Sequence, residues 1–401
     1  MKQRIITRTV WILSLVSLFT DMGSEMLYPV MPLYLKEIGF SMIAIGILEG
    51  VAEAVAGLSK GYFGAWSDSI GKRMPFVRWG YGLSAASKPM LALFSYVPWV
   101  FLCRTFDRIG KGLRTGPRDA LLSDEATAQT KGRVFGLHRT MDTLGAMIGP
   151  AAALLFLHYF PGEYKQLFYW AFIPGVAAIV ATFLIKEKKH LTTNTSSDSN
   201  QKKTFSFKTA FTYLPKASHD YKLLVLPLLV FTLFNSSDVF LLLRIKESGI
   251  SDTGLIGLYI FYNAVYAALA YPLGSMADKI GLKRILLIGL LLFTGVYFGM
   301  SFLNGWMAFA AMFFLYGCYA AATEGIIKAW ISNIVSTDET GTAIGTYEGF
   351  KNIAAMFASF IAGILWQQFG FAAAFLSTAI VSIIIVLFIL IKVRESKMSA
   401  V

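Results

Sequence analysis

Ionisable residues spaced a helical turn apart inside long apolar stretches are where this sequence could do chemistry. Asp21 and Glu25 share one helical face, as do Glu49 and Glu53 in the next stretch. Arg104, Asp107, Arg108, Lys111 and Arg114 fall at i, i+3, i+4, i+7 and i+10, a charged stripe down one side of a helix. A charge within a bilayer costs roughly 2.5–3.5 kcal/mol on insertion scales unless it is partnered or wet. Such residues therefore mark a proton site, a binding site or a fixed ion pair. Carboxylates that alternate between burial and the field of a base take up and release protons, and arginine or lysine holds anions.

Depth brings the acids and bases to one level. Counted from Leu35 and Val97, Glu25 lies ~15 Å and Arg108 ~16 Å into the apolar layer. Asp21 and Lys111 both fall near ~21 Å, and Glu53 near ~18 Å from Ser41. Two roles remain open. In one, Glu25, Asp21 or Asp107 changes protonation during a working cycle, with Arg108 or Arg104 as counter-charge or anion ligand. Lys111, Glu53, Asp238 and Asn263 then belong to the same binding region. In the other, permanent ion pairs fix the helix register. His138, Arg139 and Asp142 form a further charged turn, and Asp238 stands beside Asn235, Ser236 and Ser237. Trp66, Trp79, Tyr259, Tyr262 and Tyr266 either line a cavity or pack as anchors.

The elements that position these groups follow from composition. With 401 residues, 56% hydrophobic and 15% charged, and a mean hydropathy of +0.59, the main solvent of the chain is lipid. That excludes a disordered chain, a disulfide scaffold and a conventional soluble enzyme. Twelve apolar segments lie near 9–35, 41–66, 74–95, 97–122, 132–158, 166–186, 221–246, 252–276, 284–302, 305–334, 341–368 and 371–392. Backbone polar groups in lipid must be satisfied internally, so these segments read as helices about 20 residues or longer. The first follows Lys2, Arg4 and Arg8 and reads as a retained span, not a signal peptide. Cys103 and Cys318 offer no disulfide or metal spacing, and no cofactor is expected.

Sidedness follows from the basic residues. Lys72, Arg73, Lys131, Arg133, Lys279, Lys283, Arg284, Lys392 and Arg394 fall on one side, and mainly Lys36, Lys165 and Lys246 on the other. The positive-inside rule puts both termini in the cytoplasm, in a bacterial inner membrane, and explains the net charge of +12 without nucleic acid. Residues 187–220 break the pattern. They open as a polar linker and continue as an aromatic-basic stretch with Phe205, Phe207, Phe211 and Tyr213. That stretch either lies on the inner membrane surface or packs on helix ends. The chain thus divides into a six-helix bundle over 1–186, a cytoplasmic linker over 187–220 and a second bundle over 221–401.

The halves repeat each other. GAWSDSIGKR at 64–73 matches GSMADKIGLKR at 274–284, and KEIGFS at 36–41 matches KESGIS at 246–251. Here the chain resembles the major facilitator superfamily, whose loop after the second helix reads G-x-x-x-D-x-x-G-[RK]-[RK]. Gly64, Asp68, Gly71, Lys72 and Arg73 meet it. Gly274, Asp278 and Gly281 repeat it, with Leu282 inserted before Lys283 and Arg284. The resemblance implies an all-α membrane protein of two pseudo-symmetric six-helix bundles that works by alternating access. It also implies gating by Asp68, Lys72, Arg73 and Asp278, with Asp68 at the N-terminus of the eleventh helix near Gly341 and Thr342. A carboxylate there is worth ~0.3–1 kcal/mol, and more when partly buried.

A second signature lies in the fifth span. The family's antiporter pattern G-x8-G-x3-G-P-x2-G-G is met by Gly136, Gly145, Gly149 and Pro150, while Ala153 and Leu154 replace the final glycines. As physics it is a close-packing and bending motif. By resemblance it implies proton exchange and export, with Gly145, Gly149 and Pro150 among the gating residues. Glu324, Lys328, Glu348 and Lys351 suit an inner-gate salt-bridge network.

No phosphate-binding loop, zinc-protease motif or nucleophile elbow occurs in the chain. The expectation is a secondary active transporter, not an enzyme, exporting a small organic anion or zwitterion against protons. Proton-coupled uptake of an organic anion, siderophore-like or peptide-like solute is the alternative, and an integral membrane enzyme a more distant one. The expected partners are a small-molecule substrate, protons and the lipid bilayer, with no nucleic acid, and the unit is a monomer.

Overall fold

A computed structural model of the chain describes residues 6–28, 30–31, 34–35, 38–39, 42–185, 208–235 and 238–393. Lys2, Arg4, Lys36, Ser236, Ser237, Arg394, most of the 36–41 hairpin and residues 187–207 of the linker, with Phe205 and Phe207, lie outside the described residues. So do the side chains of Glu49, Glu53 and Phe211.

Fourteen α-helices and one 3-10 turn make up most of the described residues, with no strand among them. The first set is α1 (Arg8–Glu25), α2 (Met42–Ile70), α3 (Met74–Leu93), α4 (Val97–Asp124), α5 (Lys131–Tyr159) and α6 (Tyr164–Thr182). A short α7 (Lys208–Lys216) leads to α8 (His219–Phe234) and α9 (Asp238–Glu247). Then follow α10 (Asp252–Ile280), α11 (Leu282–Phe302), α12 (Trp306–Ile334), α13 (Thr340–Phe369) and α14 (Phe371–Lys392). At Asn235, where ψ turns to 98°, the chain leaves the helix of α8, and α9 begins at Asp238. Beyond α1, the amides of Met31, Tyr34 and Ile38 donate to the carbonyls of Leu27, Val30 and Tyr34.

Local chemistry sets the starts. The Thr7, Ser218 and Ser251 hydroxyls accept from the amides of Val10, Tyr221 and Gly254, satisfying donors that each helix leaves open. Gly71, Gly281, Gly305 and Gly370, all at positive φ, make the tight turns between successive spans. α5, α6, α11, α12, α13 and α14 are long and apolar enough to cross a membrane. α1 and α4 miss that pattern because their sequences carry the intramembrane charges.

The two sets pack alike. In the first, α1 lies on α5 and α6, α2 on α4, and α3 on α4 and α6. In the second, α8 lies on α13 and α14, α10 on α12, and α11 on α12 and α14. Each of these contacts in one set has its counterpart in the other, so the repeated sequence has become a repeated bundle. The sets meet through α2 against α13 and α5 against α10, an exchange of equivalent helices. The face where α1 begins and α14 ends is called basal below. α7 sits there against α2 and α13, with Tyr213 edge-on to Tyr221 and donating to Glu339 at 3.3 Å. Of the two sequence expectations for this stretch, packing on helix ends describes α7.

Candidate functional site

Glycine decides how closely the sets approach. A Cβ on Gly64 would run into the Gly341 carbonyl, and one on Gly274 into the Gly132 carbonyl. These are the first residues of the two repeated loops, so each loop begins where its helix crosses a helix of the other set. Four residues later the loop aspartates reach those helices. Asp68 accepts from the Thr342 amide at 2.7 Å and its hydroxyl at 2.8 Å, in the first turn of α13. Asp278 accepts from the Gly132 and Arg133 amides at 2.7 and 2.9 Å, in the first turn of α5. Each carboxylate fills open donors at the positive end of a helix.

Both aspartates lie past the apolar spans, at the basal rim. Burial pushes each carboxyl up to about 6, against the lowering pull of the Arg73 charge on Asp68 and of the two amides on Asp278. Arg73 ties the rim further. It lies 3.5 Å from Asp68, pairs with Asp124 and donates to the Thr337 carbonyl at 2.9 Å. Lys72 is exposed.

Above the rim, the sets enclose a cavity of about 300 Å³. Its walls are Asp21 and Glu25 of α1, Lys60 of α2, and Lys111, Arg114, Thr115 and Arg118 of α4. α5 adds Arg139, Asp142, Thr143 and Ala146, and α10 adds Tyr259, Tyr262, Asn263 and Tyr266. Glu324 and Lys328 of α12 and Glu348 and Lys351 of α13 close it.

An ion-pair network ties this cavity across the sets. Lys328 donates to Asp119 at 2.8 Å and lies 3.6 Å from Glu348, which also pairs with Lys60 at 3.3 Å. Lys60 donates to Asn352 at 3.3 Å as well. Arg118 holds the other side of Asp119 at 2.8 Å. Lys351 pairs with Glu324 at 2.8 Å, and Arg139 lies 3.8 Å from Glu324 and 2.6 Å from Asp142. The Ser17 hydroxyl donates to Asp142 at 2.5 Å, and Arg139 also donates to the Tyr266 hydroxyl. Every one of these charges is compensated at close range, as a dry or half-dry site requires.

The sequence-derived site residues divide. Asp21, Glu25, Lys111 and Asn263 line the cavity. Arg104, Asp107 and Arg108 do not; Asp107 accepts from Ser84 at 2.5 Å on the α3 side of α4. Asp238 accepts from Tyr316 at 2.5 Å within the second set and is not among the cavity-lining residues. Gly145 and Gly149 press the α5 backbone onto Leu18 and Met22 of α1, inside the first set and not between the sets, with Pro150 beside them in α5. Their packing places Asp21 and Glu25 opposite Asp142. Glu324, Lys328, Glu348 and Lys351 do form a salt-bridge network, at the cavity's closure. Lys60, Arg118 and Asp119 were missed. Arg118 is four residues beyond Arg114, so extending the stripe by one turn would have found it.

The family model described as Major Facilitator Superfamily matches residues 13–262 and 223–401. An uncharacterised MFS-type transporter of Methanocaldococcus jannaschii is 34% identical over 370 residues, covering 91% of this chain and 90% of that protein. Multidrug resistance protein MdtG of Escherichia coli is 22% identical over 372 residues, covering 90% of this chain and 88% of the relative. The fold of the human organic anion transporter MFSD10 (TETRAN) superposes with a TM-score of 0.80 at 14% identity, covering 96% of this chain and 100% of that one.

Proposed function

The chain belongs to the Major Facilitator Superfamily, and from that premise we propose that it exports a small anionic or zwitterionic organic solute in exchange for protons. The observation that carries this reading is the cavity itself: seven basic against five acidic side chains around about 300 Å³ where the sets meet. Such a lining suits a charged solute far better than an apolar one. Among the described residues, the ion pairs and hydrogen bonds that cross between the sets run from this cavity to the basal rim. That pattern supports a state closed at the basal face, with rocking of the sets as the transport step.

We place the basal face and both termini in the cytoplasm of a bacterial inner membrane, on the positive-inside rule, and take the monomer as the unit. Glu25 and Asp21 are the proposed proton carriers, each on the cavity wall among bases. Asp107 is a less direct candidate, behind that wall. The likeness to a multidrug resistance protein supports export, and the likeness to an organic anion transporter supports an anionic substrate.

The test is flux of a panel of labelled organic anions in oriented vesicles under an imposed proton gradient. Solute moving against the proton flow establishes export. Movement with it establishes uptake in its place. Flux indifferent to the gradient overturns proton coupling.

A further inference from the structure

Five of the seven cavity bases are held by carboxylates: Lys60 by Glu348, Arg118 and Lys328 by Asp119, Arg139 by Asp142, and Lys351 by Glu324. Lys111 and Arg114, one turn apart on α4, are different. Among the described residues, no carboxylate lies within ion-pair distance of either. Asp21 and Glu25 feel the charge of Lys111 from farther away. Arg114 is only 4% exposed, and its Nη1 has no hydrogen-bond partner among the described residues. One face of its guanidinium rests on the Tyr81 ring at 4.7 Å, which fixes the plane and leaves the N–H edge for a ligand. A buried guanidinium held in place with an open donor is a binding group for an oxyanion.

The opposite wall has another chemistry. Tyr259, Tyr262 and Tyr266 form a row along α10, their ring centroids 5.9 and 6.2 Å apart in succession. Asn263 donates to the Tyr259 carbonyl at 3.0 Å, so its amide belongs to the same wall. One set therefore presents open cations and the other presents aromatic surface. The volume matches about ten waters at ~30 Å³ each, room for a single or fused ring with its charged group.

Resting on the anion-transport reading above, we propose that the solute is a planar aromatic carboxylate. Its carboxylate bridges Lys111 and Arg114, and its ring lies against the tyrosine row of α10. Because these anchors belong to different sets, the bound molecule spans the surfaces that part during transport.

The test is calorimetric titration of the full-length protein in nanodiscs with benzoate, cyclohexanecarboxylate, benzamide and benzylamine. Benzoate binds most tightly. Lys111→Gln and Arg114→Gln each weaken it about tenfold or more and leave benzamide unchanged. Tyr259→Leu abolishes the preference for benzoate over cyclohexanecarboxylate. If Arg114→Gln fails to fold, Arg114→Lys keeps the charge, loses the fork and still weakens benzoate. Undiminished benzoate binding in the Lys111 and Arg114 variants overturns the subsite while leaving anion transport standing. Equal loss of both acids in Tyr259→Leu overturns the ring wall. Binding of benzylamine or benzamide with no carboxylate bound overturns the anion reading itself.

Discussion

Lys328 and Asp119, 209 residues apart in sequence, meet at 2.8 Å across the two sets, and the Asp119 side chain is wholly buried. Asp119 is shared, since Arg118 pairs with its other side. Removing one partner of a buried pair leaves a charge uncompensated, which costs about 3–5 kcal/mol. Asp119→Ala takes the near carboxylate from both bases, although Lys328 keeps Glu348. Lys328→Met leaves Asp119 paired with Arg118. Thermal unfolding in detergent is expected to fall much further in Asp119→Ala than in Lys328→Met. The reverse order would mean that Arg118 does not depend on Asp119.

Acidification is expected to favour the closed basal rim. Burial raises Asp68 and Asp278 from an ordinary 3.8 to about 6 in this state, whereas opening exposes them to water. The closed state therefore binds more protons between those values. Its advantage is complete below the ordinary value and is lost as pH rises through about 6. Spin labels at the exposed positions Lys72 and Asp338 are expected to draw together between about pH 7.5 and about pH 5. The Asp68→Asn, Asp278→Asn double variant removes that response. A pH response surviving in the double variant would assign it to other groups.

Two glycines separate gating from folding. A Cβ on Gly64 presses on Gly341 of the other set, and one on Gly145 presses on Leu18 of its own set. Gly64→Ala is expected to move the same label pair apart with a small change in melting temperature. Gly145→Ala leaves that distance alone and costs about 1–3 kcal/mol of stability from overpacking. A widened rim in Gly145→Ala would mean that the α1–α5 packing also controls the gate.

Glu25→Gln removes a titrating group from the cavity wall while keeping its shape and hydrogen-bonding reach. Proton-driven flux is expected to fall to background while solute exchange in the absence of a gradient persists. If pH-driven flux is unchanged, Glu25 is not the coupling group, and Asp21→Asn becomes the decisive variant.

The repeated loops were legible because their function is local. An aspartate four residues after a close-packing glycine reaches a helix end wherever the two helices cross, and Asp68 lies at the α13 terminus the motif implies. The α4 stripe was also legible, but not the length of it that lines the cavity. Arg104 and Arg118 stand within ~40° of each other around the helix but ~21 Å apart along it, so depth and not direction separates them. Gly110 against Gly80 and Gly112 against Ser59 then set the helix's rotation. The cavity meets Lys111, Arg114 and Arg118, in the basal half of the stripe, and not Arg104, Asp107 and Arg108 nearer the start of α4.

Composition and periodicity were enough to establish a chain dissolved in lipid, folded into twelve spans and built twice, because hydrophobic length and repeated motifs are local properties. Which charges share a partner was beyond them. Asp119 with Lys328, Lys60 with Glu348 and Arg139 with Glu324 are pairs between sets. They exist only once two bundles have docked at one rotation and one depth, and no spacing along a single helix carries that information.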